Sequence, residues 1–367
     1  MQFIDLSAQQ ERIRGALDAA IAGVLDHGRY IMGPEVAQLE SDLGQFCGAP
    51  SVIGCASGTD ALVMALMARH VGPGQAVFVP TFTFAATAEA VAILGATPVF
   101  VDVDESTYNL DVSKLAEAID GISPDLRPVG VIGVDMFGLP ADYPAIANVI
   151  EPHRMWMIAD AAQSFGATAH GVRVGEMAQI TTTSFFPAKP LGCYGDGGAV
   201  MALDAEDATV VRSVRVHGSG TEKYDNVRLG INGRLDTIQA AILIEKLKLF
   251  PTELQQRQAV ADRYSSALAD IVEVPVIPAG FSSSWAQYTI QVDDRDKLIE
   301  HLRNNDVPTA VYYPRPLHLQ TAYRDYPIAS GGLGVSERLS GRVLSLPMHP
   351  YLSESDQTRI VEALASR

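Results

Sequence analysis

Cysteine is scarce in this chain of 367 residues, which contains only Cys47, Cys55 and Cys193. No two of them form a C-x-x-C pair, and none stands at zinc-finger spacing from one of the eight scattered histidines. This scarcity argues against a disulfide-stapled secreted scaffold and against a cysteine-ligated metal. We therefore expect reduced, partly buried thiols, a cytoplasmic protein and no metal site.

Positive charge is also in short supply, because 27 Lys and Arg stand against 43 Asp and Glu, a net charge of −16 at pH 7. No Lys/Arg-rich run occurs, so we expect neither a nucleic-acid partner nor binding to an anionic membrane. No apolar stretch approaches the roughly 20 residues that span a bilayer. The N-terminal segment carries Asp5 and Glu11 and lacks an apolar core, which is not the pattern of a signal peptide.

Several common catalytic motifs are missing as well. No G-x-G-x-x-G follows an apolar run, which leaves a Rossmann nicotinamide site without support. No G-x-x-x-x-G-K-[ST] loop, G-x-S-x-G elbow or H-E-x-x-H helix occurs. The sequence therefore lacks the commonest signatures of nucleotide hydrolases, serine hydrolases and zinc peptidases, and gives no support to these classes of enzyme.

What is present is an alternation of short apolar runs with amphipathic stretches, in a globular composition of 47% hydrophobic and 19% charged residues. Residues 1–50 have the pattern of helices, with Val36, Leu39, Leu43 and Phe46 on one face. The alternation that follows predicts an α/β fold, with a mostly parallel sheet covered by helices on both faces. In such sheets, ligands bind at the carboxyl ends of the strands. The predicted strands lie within residues 51–55, 76–80, 97–104, 129–138, 155–160, 181–186 and 197–203.

The pattern changes beyond about residue 240. It predicts a long helical passage over residues 235–268 that is interrupted at Pro251, a half-exposed strand over 285–293 and a short helix over 295–307. We interpret residues 1–245 as N-terminal helices and a large domain. Residues 246–367 are predicted to form a smaller C-terminal α+β domain.

The stretch CASGTDAL, residues 55–62, follows a predicted strand and opens a predicted helix. Free backbone N–H groups at Gly58, Thr59 and Asp60 would then face a ligand at the helix N-terminus, which is a natural cradle for phosphate. An ordinary N-capped helix would have the same sequence pattern. By itself, this stretch leaves both readings open.

Two further segments end strands with polar side chains. Asp160 closes the apolar run MWMIAD, and Gln163 follows one turn later. The aspartate fits either a helix N-cap or a carboxylate held to meet a buried cationic nitrogen. Ser184 precedes Lys189 by five residues, so that a hydroxyl and an amine could reach the same ligand.

Lys189 is the only charged side chain between Glu176 and Asp196, and it stands between Pro187 and Pro190. A lysine among apolar neighbours tends toward a lowered pKa, the state needed for a nucleophilic amine that forms a Schiff base. A phosphate cradle, a strand-end aspartate and a lysine about thirty residues later form the layout of a pyridoxal-phosphate site. In such sites the aspartate pairs with the pyridinium nitrogen.

At this point the chain resembles the sugar aminotransferases of the DegT/DnrJ/EryC/StrS type, within the fold-type-I (aspartate-aminotransferase-like) enzymes. Within that family it looks most like enzymes that aminate C3 of UDP-linked 3-keto-N-acetylhexosamine uronic acids, for bacterial O-antigen and polysaccharide (lipopolysaccharide) synthesis. The resemblance extends over nine segments in family order: residues 4–13, 28–36, 55–62, 80–91, 94–104, 158–167, 184–199, 229–243 and 312–323.

The resemblance implies pyridoxal 5'-phosphate as cofactor and assigns its contacts. Lys189 would form the Schiff base and shuttle the proton, Asp160 would pair with the ring nitrogen, and Gln163 would sit by the phenolic oxygen. Other implied contacts are the phosphate ligands Gly58, Thr59 and Ser184, the stacking ring of Phe84, and Asn232, which would reach the phosphate of a neighbouring subunit. Such a site implies a homodimer with shared active sites.

The resemblance also implies the reactants, L-glutamate as amino donor and a nucleotide-sugar as acceptor. Arg234, Tyr312, Tyr313 and His318 would contact the nucleotide-sugar, with Arg234 best suited to a carboxylate or diphosphate. Tyr312 departs from the uronate enzymes, which often carry histidine there. A neutral dTDP- or GDP-linked keto-deoxysugar therefore stays open as the acceptor, and so does a catalytically silent, cofactor-binding regulatory protein.

Overall fold

The computed structural model describes residues 1–222 and 224–366. Eleven α-helices lie within these residues: α1 Leu6–His27, α2 Pro34–Cys47, α3 Gly58–Ala68, α4 Ala86–Ile93, α5 Val112–Asp120, α6 Tyr143–Ile150, α7 Ala205–Val214, α8 Thr237–Leu268, α9 Arg295–Asn304, α10 Gly334–Arg342 and α11 Glu354–Ala365. The strands of the same residues are β1 Ser51–Cys55, β2 Gln75–Pro80, β3 Thr97–Val101, β4 Arg127–Val134, β5 Trp156–Asp160, β6 Thr168–Ala169, β7 Val172–Arg173, β8 Ile180–Ser184, β9 Gly198–Ala202, β10 Tyr288–Gln291 and β11 Val343–Leu346.

A sheet of seven strands forms the centre of the described chain, in the order β1-β9-β8-β5-β4-β2-β3. The pairs from β8 through to β3 are parallel, and β9 alone runs antiparallel to its two neighbours. The prediction of a mostly parallel α/β sheet is confirmed. Val134 pairs with Asp160 and Asp160 with Thr182, so β4, β5 and β8 end at the same edge.

Helices cover both faces of this sheet, which explains the apolar runs of its strands. Within β1, Ile53 packs with α3 and α4, whereas Val52 packs on the opposite face with α2 and α8. The face of α2 predicted to be apolar is buried at Val36, Leu39 and Leu43. All three cysteines are free and buried.

The C-terminal part contains a second, two-stranded antiparallel sheet of β10 and β11. All four residues of β10 are buried, so the prediction of a half-exposed strand is wrong. Its alternate polar residues bond within the protein instead of facing water. Thr289 Oγ1 lies 2.8 Å from Ser345 Oγ, and the Gln291 amide donates to the Tyr108 hydroxyl at 3.2 Å.

The predicted interruption at Pro251 is also wrong, because this residue lies inside α8, a continuous helix of 32 residues. Proline removes one backbone donor and crowds the preceding turn. The side chains of Phe250 before Pro251 and of Val260 and Tyr264 after it are buried, and their packing holds the helix together. The helix also runs across the predicted boundary between residues 245 and 246, which stays a prediction. Among the described residues, no helix is both long and apolar enough to cross a membrane.

Candidate active site

Lys189 stands in a tight loop between β8 and β9. Its backbone N–H donates to the carbonyl of Phe186 at 2.8 Å, and Cys193 N–H donates to the carbonyl of Phe185 at 2.8 Å. A Cβ atom at Gly192 would lie 2.5 Å from the carbonyl oxygens of Phe186 and Pro187, so only glycine permits this return of the chain. The loop therefore presents the lysine from a closely defined backbone.

The Lys189 amine has few partners of its own. Within residues 1–222 and 224–366, no hydrogen bond or ion pair engages its Nζ atom, and the residue is half-buried. Burial lowers the pKa of Lys189, and the charge of Asp160 opposes that shift. Because the neutral amine is favoured relative to an exposed lysine, the side chain suits nucleophilic chemistry.

Asp160 ends β5 and is buried, with 7% of its surface exposed. Its carboxylate accepts hydrogen bonds from Thr87 Oγ1 at 2.8 Å and from the Ala162 N–H at 3.3 Å. Burial raises the pKa of Asp160, while these two hydrogen bonds and the charge of Lys189 lower it. A buried carboxylate with so little positive charge nearby is suited to bind a cationic group of a ligand.

Gln163 and Tyr313 meet beside Asp160. The Gln163 side-chain oxygen accepts from the Phe137 N–H at 2.8 Å, and the Gln163 side chain lies close enough to the Tyr313 hydroxyl to oppose the rise of its pKa. Burial, together with the charge of Asp160, raises the pKa of Tyr313, so its phenol stays protonated. Phe84 lies 6.3 Å from the Tyr313 ring, between centroids, and is 58% exposed. An exposed aromatic face beside buried polar groups offers a stacking surface for a planar ligand.

The segment CASGTDAL, predicted to be a phosphate cradle, runs from the end of β1 into the start of α3. A Cβ atom at Gly58 would lie 2.7 Å from Ser184 Cβ, so glycine is required to bring the serine against the helix N-terminus. The amides of Gly58 and Thr59 belong to the first turn and have no acceptor within the helix. The prediction of a free amide at Asp60 is wrong, because that N–H donates to the Ser57 N-cap hydroxyl at 3.0 Å. The N-capped helix is therefore confirmed, and the binding of phosphate at this helix terminus stays a prediction.

Asn232 and Arg234 lie next to this cradle, on either side of Gly233. The Gly233 carbonyl accepts a hydrogen bond from Ala56 N–H at 3.1 Å, which fixes the segment against the end of β1. Asn232 is exposed, and its side-chain oxygen accepts from Arg234 Nε at 2.9 Å. Neither side chain is directed into the core.

The remaining predicted contacts lie on the other side of the site. Tyr312 packs against the Tyr313 ring at 5.8 Å between centroids, and burial raises its pKa. His318 is buried, with Nδ1 2.8 Å from Thr81 Oγ1 and Nε2 3.3 Å from Glu337 Oε1. Both ring nitrogens of His318 thus already have partners, so its predicted contact with a ligand stays a prediction.

Two residues that touch this arrangement were missed by sequence reasoning. Thr87 bonds the Asp160 carboxylate, and Asp135 lies behind it at the end of β4. Thr87 follows the aromatic stretch TFTF by two alanines, and nothing in that pattern distinguishes it from an ordinary helix residue. Asp135 ends an apolar strand as Asp160 does, which was a usable signal.

The residues present fit pyridoxal phosphate. The cradle at Gly58 and Ser184 would hold its phosphate. The buried Asp160 carboxylate suits a protonated ring nitrogen, and the unpartnered Lys189 amine suits an aldehyde. The fold and this site together define a pyridoxal-phosphate enzyme of fold type I.

Comparison with known proteins gives the same class and adds the family. Residues 11–365 match the DegT/DnrJ/EryC1/StrS aminotransferase family. The UDP-2-acetamido-2-deoxy-3-oxo-D-glucuronate aminotransferase of Pseudomonas aeruginosa is 46% identical over 367 residues, covering 100% of both chains. The chain belongs to the DegT/DnrJ/EryC1/StrS aminotransferase family.

Solved structures agree with this assignment. A DegT/DnrJ/EryC1/StrS aminotransferase from Brucella abortus is 54% identical, with a TM-score of 0.99 over 100% of this chain and 99% of that one. DesV of S. venezuelae, solved in complex with a ketimine intermediate, is 37% identical with a TM-score of 0.94, covering 100% and 97%. The family depends on pyridoxal phosphate. The predicted fold, enzyme class and cofactor are confirmed.

Proposed function

We propose that this protein transfers the amino group of L-glutamate to the keto carbon, C3, of a UDP-linked N-acetylated keto-hexuronic acid. The product would serve bacterial O-antigen or other polysaccharide synthesis. The observation that carries the proposal is the meeting of Lys189, Asp160 and the Gly58–Ser184 cradle at one sheet edge, in a chain 46% identical throughout to an enzyme named for such a substrate.

When bound, pyridoxal phosphate carries the amino group between donor and acceptor and withdraws electrons from the reacting carbon. The Lys189 amine would attach the cofactor and then take and return the proton at that carbon. Asp160 would keep the ring nitrogen protonated. Gln163 and the protonated Tyr313 would orient the opposite side of the ring, and Phe84 would cover one face.

The phosphate would be held by three groups that the fold brings together. The Gly58 and Thr59 amides and the helix dipole of α3 favour an anion at this point. The Ser184 hydroxyl lies close to the same helix terminus, as the tight approach of Gly58 to its side chain shows. In the described residues, Ser184 Oγ accepts only the Phe186 N–H at 3.2 Å, so its proton is available to a ligand.

The nucleotide-sugar would lie on the open side of the site, against Arg234, Tyr312, Tyr313 and His318. Arg234 uses only its Nε in the described part of the chain, toward Asn232. Its terminal nitrogens are therefore available for the two-pronged binding of a uronate carboxylate or a diphosphate. His318, whose nitrogens already face Thr81 and Glu337, would act by shaping this wall.

A homodimer would complete the site. Asn232 is exposed beside the cradle, which suits an asparagine that reaches a partner's phosphate. Apolar side chains on nearby loops are also exposed, namely Tyr30 at 48%, Ile31 at 45%, Val227 at 53% and Leu229 at 88%. Exposed apolar groups concentrated on a few loops are typical of an interface between subunits.

The proposal is tested in two stages with the purified holoenzyme. The absorption band of the bound cofactor should shift on addition of L-glutamate alone, with release of 2-oxoglutarate. In the reverse direction, the pyridoxal form should be converted to its amino form by a UDP-linked 3-amino-3-deoxy-hexuronic acid. No shift with glutamate would leave a cofactor-binding regulatory protein, and conversion only by neutral amino sugars would overturn the uronate.

Tyr312 favours one alternative acceptor, a neutral dTDP- or GDP-linked keto-deoxysugar. The uronate enzymes often carry histidine at this position, whereas a tyrosine ring offers no positive charge to a carboxylate. The amino-transfer chemistry is the same for both acceptors. A crystal structure with the candidate UDP-amino sugar trapped on the cofactor would decide between them.

A further inference from the structure

Asp135 is a buried carboxylate directly behind the carboxylate that we assign to the ring nitrogen. It follows the last residue of β4 and is fully buried, with 0% of its surface exposed. Its backbone N–H donates to the carbonyl of Asp160 at 3.1 Å, so the two aspartates end neighbouring parallel strands side by side. No step of the proposed chemistry uses Asp135.

Three donors hold the Asp135 side chain. Tyr143, on α6, donates its hydroxyl to Oδ1 at 2.5 Å, and the Ala141 N–H donates to the same oxygen at 2.9 Å. Ser164 donates its hydroxyl to Oδ2 at 2.5 Å. Tyr143 and Ser164 are themselves buried. A carboxylate with both oxygens occupied by buried donors is fixed in orientation.

Ser164 connects this carboxylate to the cofactor side of the site. It closes the turn that begins at Asp160 and contains Gln163, and its N–H donates to the Ala161 carbonyl at 3.2 Å. The same turn is held at its other side by Ser284 Oγ, which donates to the Gln163 carbonyl at 2.5 Å. The position of Asp160 and Gln163 therefore depends on a turn whose last residue is tied to Asp135.

We propose that Asp135 is a positioning residue, which fixes the Asp160–Ser164 turn through Ser164 and whose negative charge supports protonation of the cofactor ring held by Asp160. The inference depends on the proposed cofactor contacts of Asp160. It concerns the bound cofactor's protonation and binding, so it can fail while amino transfer remains.

The charge of Asp135 is conditional on pH. Burial raises its pKa to about 7, against the lowering effect of the hydrogen bonds from Ser164, Tyr143 and Ala141. The other titratable groups that face it are Asp160, whose charge raises the pKa further, and Tyr143, whose own pKa is raised by burial and by Asp135. Near neutral pH the residue is therefore divided between a charged and a neutral form.

The test uses Asp135→Asn, which keeps the shape and one acceptor oxygen but removes the charge. In the holoenzyme, the midpoint of the pH titration of the cofactor absorption band should move to lower pH by about half a unit or more, since a nearby negative charge no longer favours the protonated form. Ser164→Ala should weaken cofactor binding about tenfold through the loosened turn. If Asp135 acts through Ser164, the loss of cofactor binding free energy in the double variant should be smaller than the sum of the losses in Asp135→Asn and in Ser164→Ala.

The chain offers a closely matched control in Asp102. This buried aspartate also follows the end of a strand, β3, and also accepts from a serine hydroxyl and a backbone amide, those of Ser336. Asp102→Asn should leave the cofactor titration unchanged. An equal shift in both variants, or an unchanged titration and cofactor affinity in Asp135→Asn, would overturn the proposal.

A second variant gives an independent test if Asp135→Asn folds poorly. Thermal unfolding of the cofactor-free protein would show whether it does. Tyr143→Phe removes one donor to Asp135 and leaves the Asp160–Ser164 turn untouched. Asp135 then ionises at higher pH, so the cofactor titration should again move, in the same direction and by a smaller amount. An unchanged titration in Tyr143→Phe would contradict the role of the Asp135 charge.

Discussion

Lys189 is half-buried and Lys246 fully buried, and burial affects the pKa of both, but their surroundings differ. Burial lowers the pKa of each, in the case of Lys246 to about 8. Lys246 lies in the middle of α8 with 1% of its surface exposed, and its ammonium stands 4.8 Å from the centre of the Tyr194 ring. Glu253, about two turns further along the same face of the helix, adds a compensating charge. This lysine is enclosed by partners that belong to the chain.

Lys189 has the opposite setting. It stands on a loop at the carboxyl edge of the sheet, its amine has no hydrogen bond among the described residues, and the nearest opposing charge is that of Asp160. A lowered pKa by itself therefore does not mark a catalytic lysine in this molecule. The difference lies in the partners: the amine of Lys246 has neighbours within the chain, whereas that of Lys189 faces only the charge of Asp160 among the described residues.

The largest effect on the rate of amino transfer is expected at Lys189. Lys189→Ala should lower the rate of amino transfer by about 10³-fold or more, because it removes both the nucleophile and the proton carrier. The holoenzyme spectrum should lose the band that responds to glutamate. Single-turnover mixing with glutamate measures the rate. A variant that retained more than a tenth of the wild-type rate would remove the distinction drawn between the two lysines.

A smaller loss should follow from the partner of Lys189. Asp160→Asn keeps the size of the side chain and removes the charge that we assign to the ring nitrogen, so the rate should fall by about 10²-fold. The cofactor absorption should titrate at lower pH in the same variant. As a matched control, Asp207→Asn changes a buried aspartate paired with Arg69 at 2.6 Å, away from the sheet edge, and should leave the rate unchanged.

Lys246→Met should leave the rate nearly as it is and should change stability instead. A lysine whose pKa falls from its usual 10.4 or so to about 8 on folding disfavours the folded state below that range, and this disadvantage disappears as pH rises from about 8 to about 10.5. Across that window the free energy of unfolding of the wild type should rise relative to the variant, by on the order of 2 kcal/mol. Urea unfolding at pH 7.5 and pH 10 measures the difference. Parallel curves at both pH values would show that Lys246 does not titrate with folding.

The special role of Lys189 could be predicted from the sequence, whereas the burial of Lys246 could not, and the reason is physical. Lys189 is a single charge in a long uncharged segment, which is visible without any structure. Lys246, Glu253 and Arg257 follow at helical spacing with Phe250, a pattern typical of an exposed charged face. They are buried because α1 and the C-terminal part pack over that face, where Gln9 donates to Glu253 at 2.7 Å and Arg257 to the Trp285 carbonyl at 2.9 Å.

In the fold, too, features set by local sequence could be predicted, and features set by distant segments could not. Strand-helix alternation predicted the large sheet because parallel strands are apolar on both faces, and this property is local. It failed at β10, whose polar positions looked solvent-facing until Thr289 and Gln291 found partners from distant segments. It failed at Pro251, where packing outweighs the local cost of proline. Residues whose role depends on a neighbour far along the chain, such as Thr87, could not be predicted in this way.

Helix α3 has one more consequence. Its residues from Ala61 to Leu66 are all buried, so this helix lies within the core with no face left to water. A cofactor whose phosphate rests on its N-terminus binds only when that core is assembled, because the unfolded chain offers no such cradle. Binding then adds to the stability of the whole protein, by about 2.7 kcal/mol at a hundred times the dissociation constant. The vitamin B6 supply of the cell would in this way influence how much of the protein survives proteolysis, as well as how much of it is active.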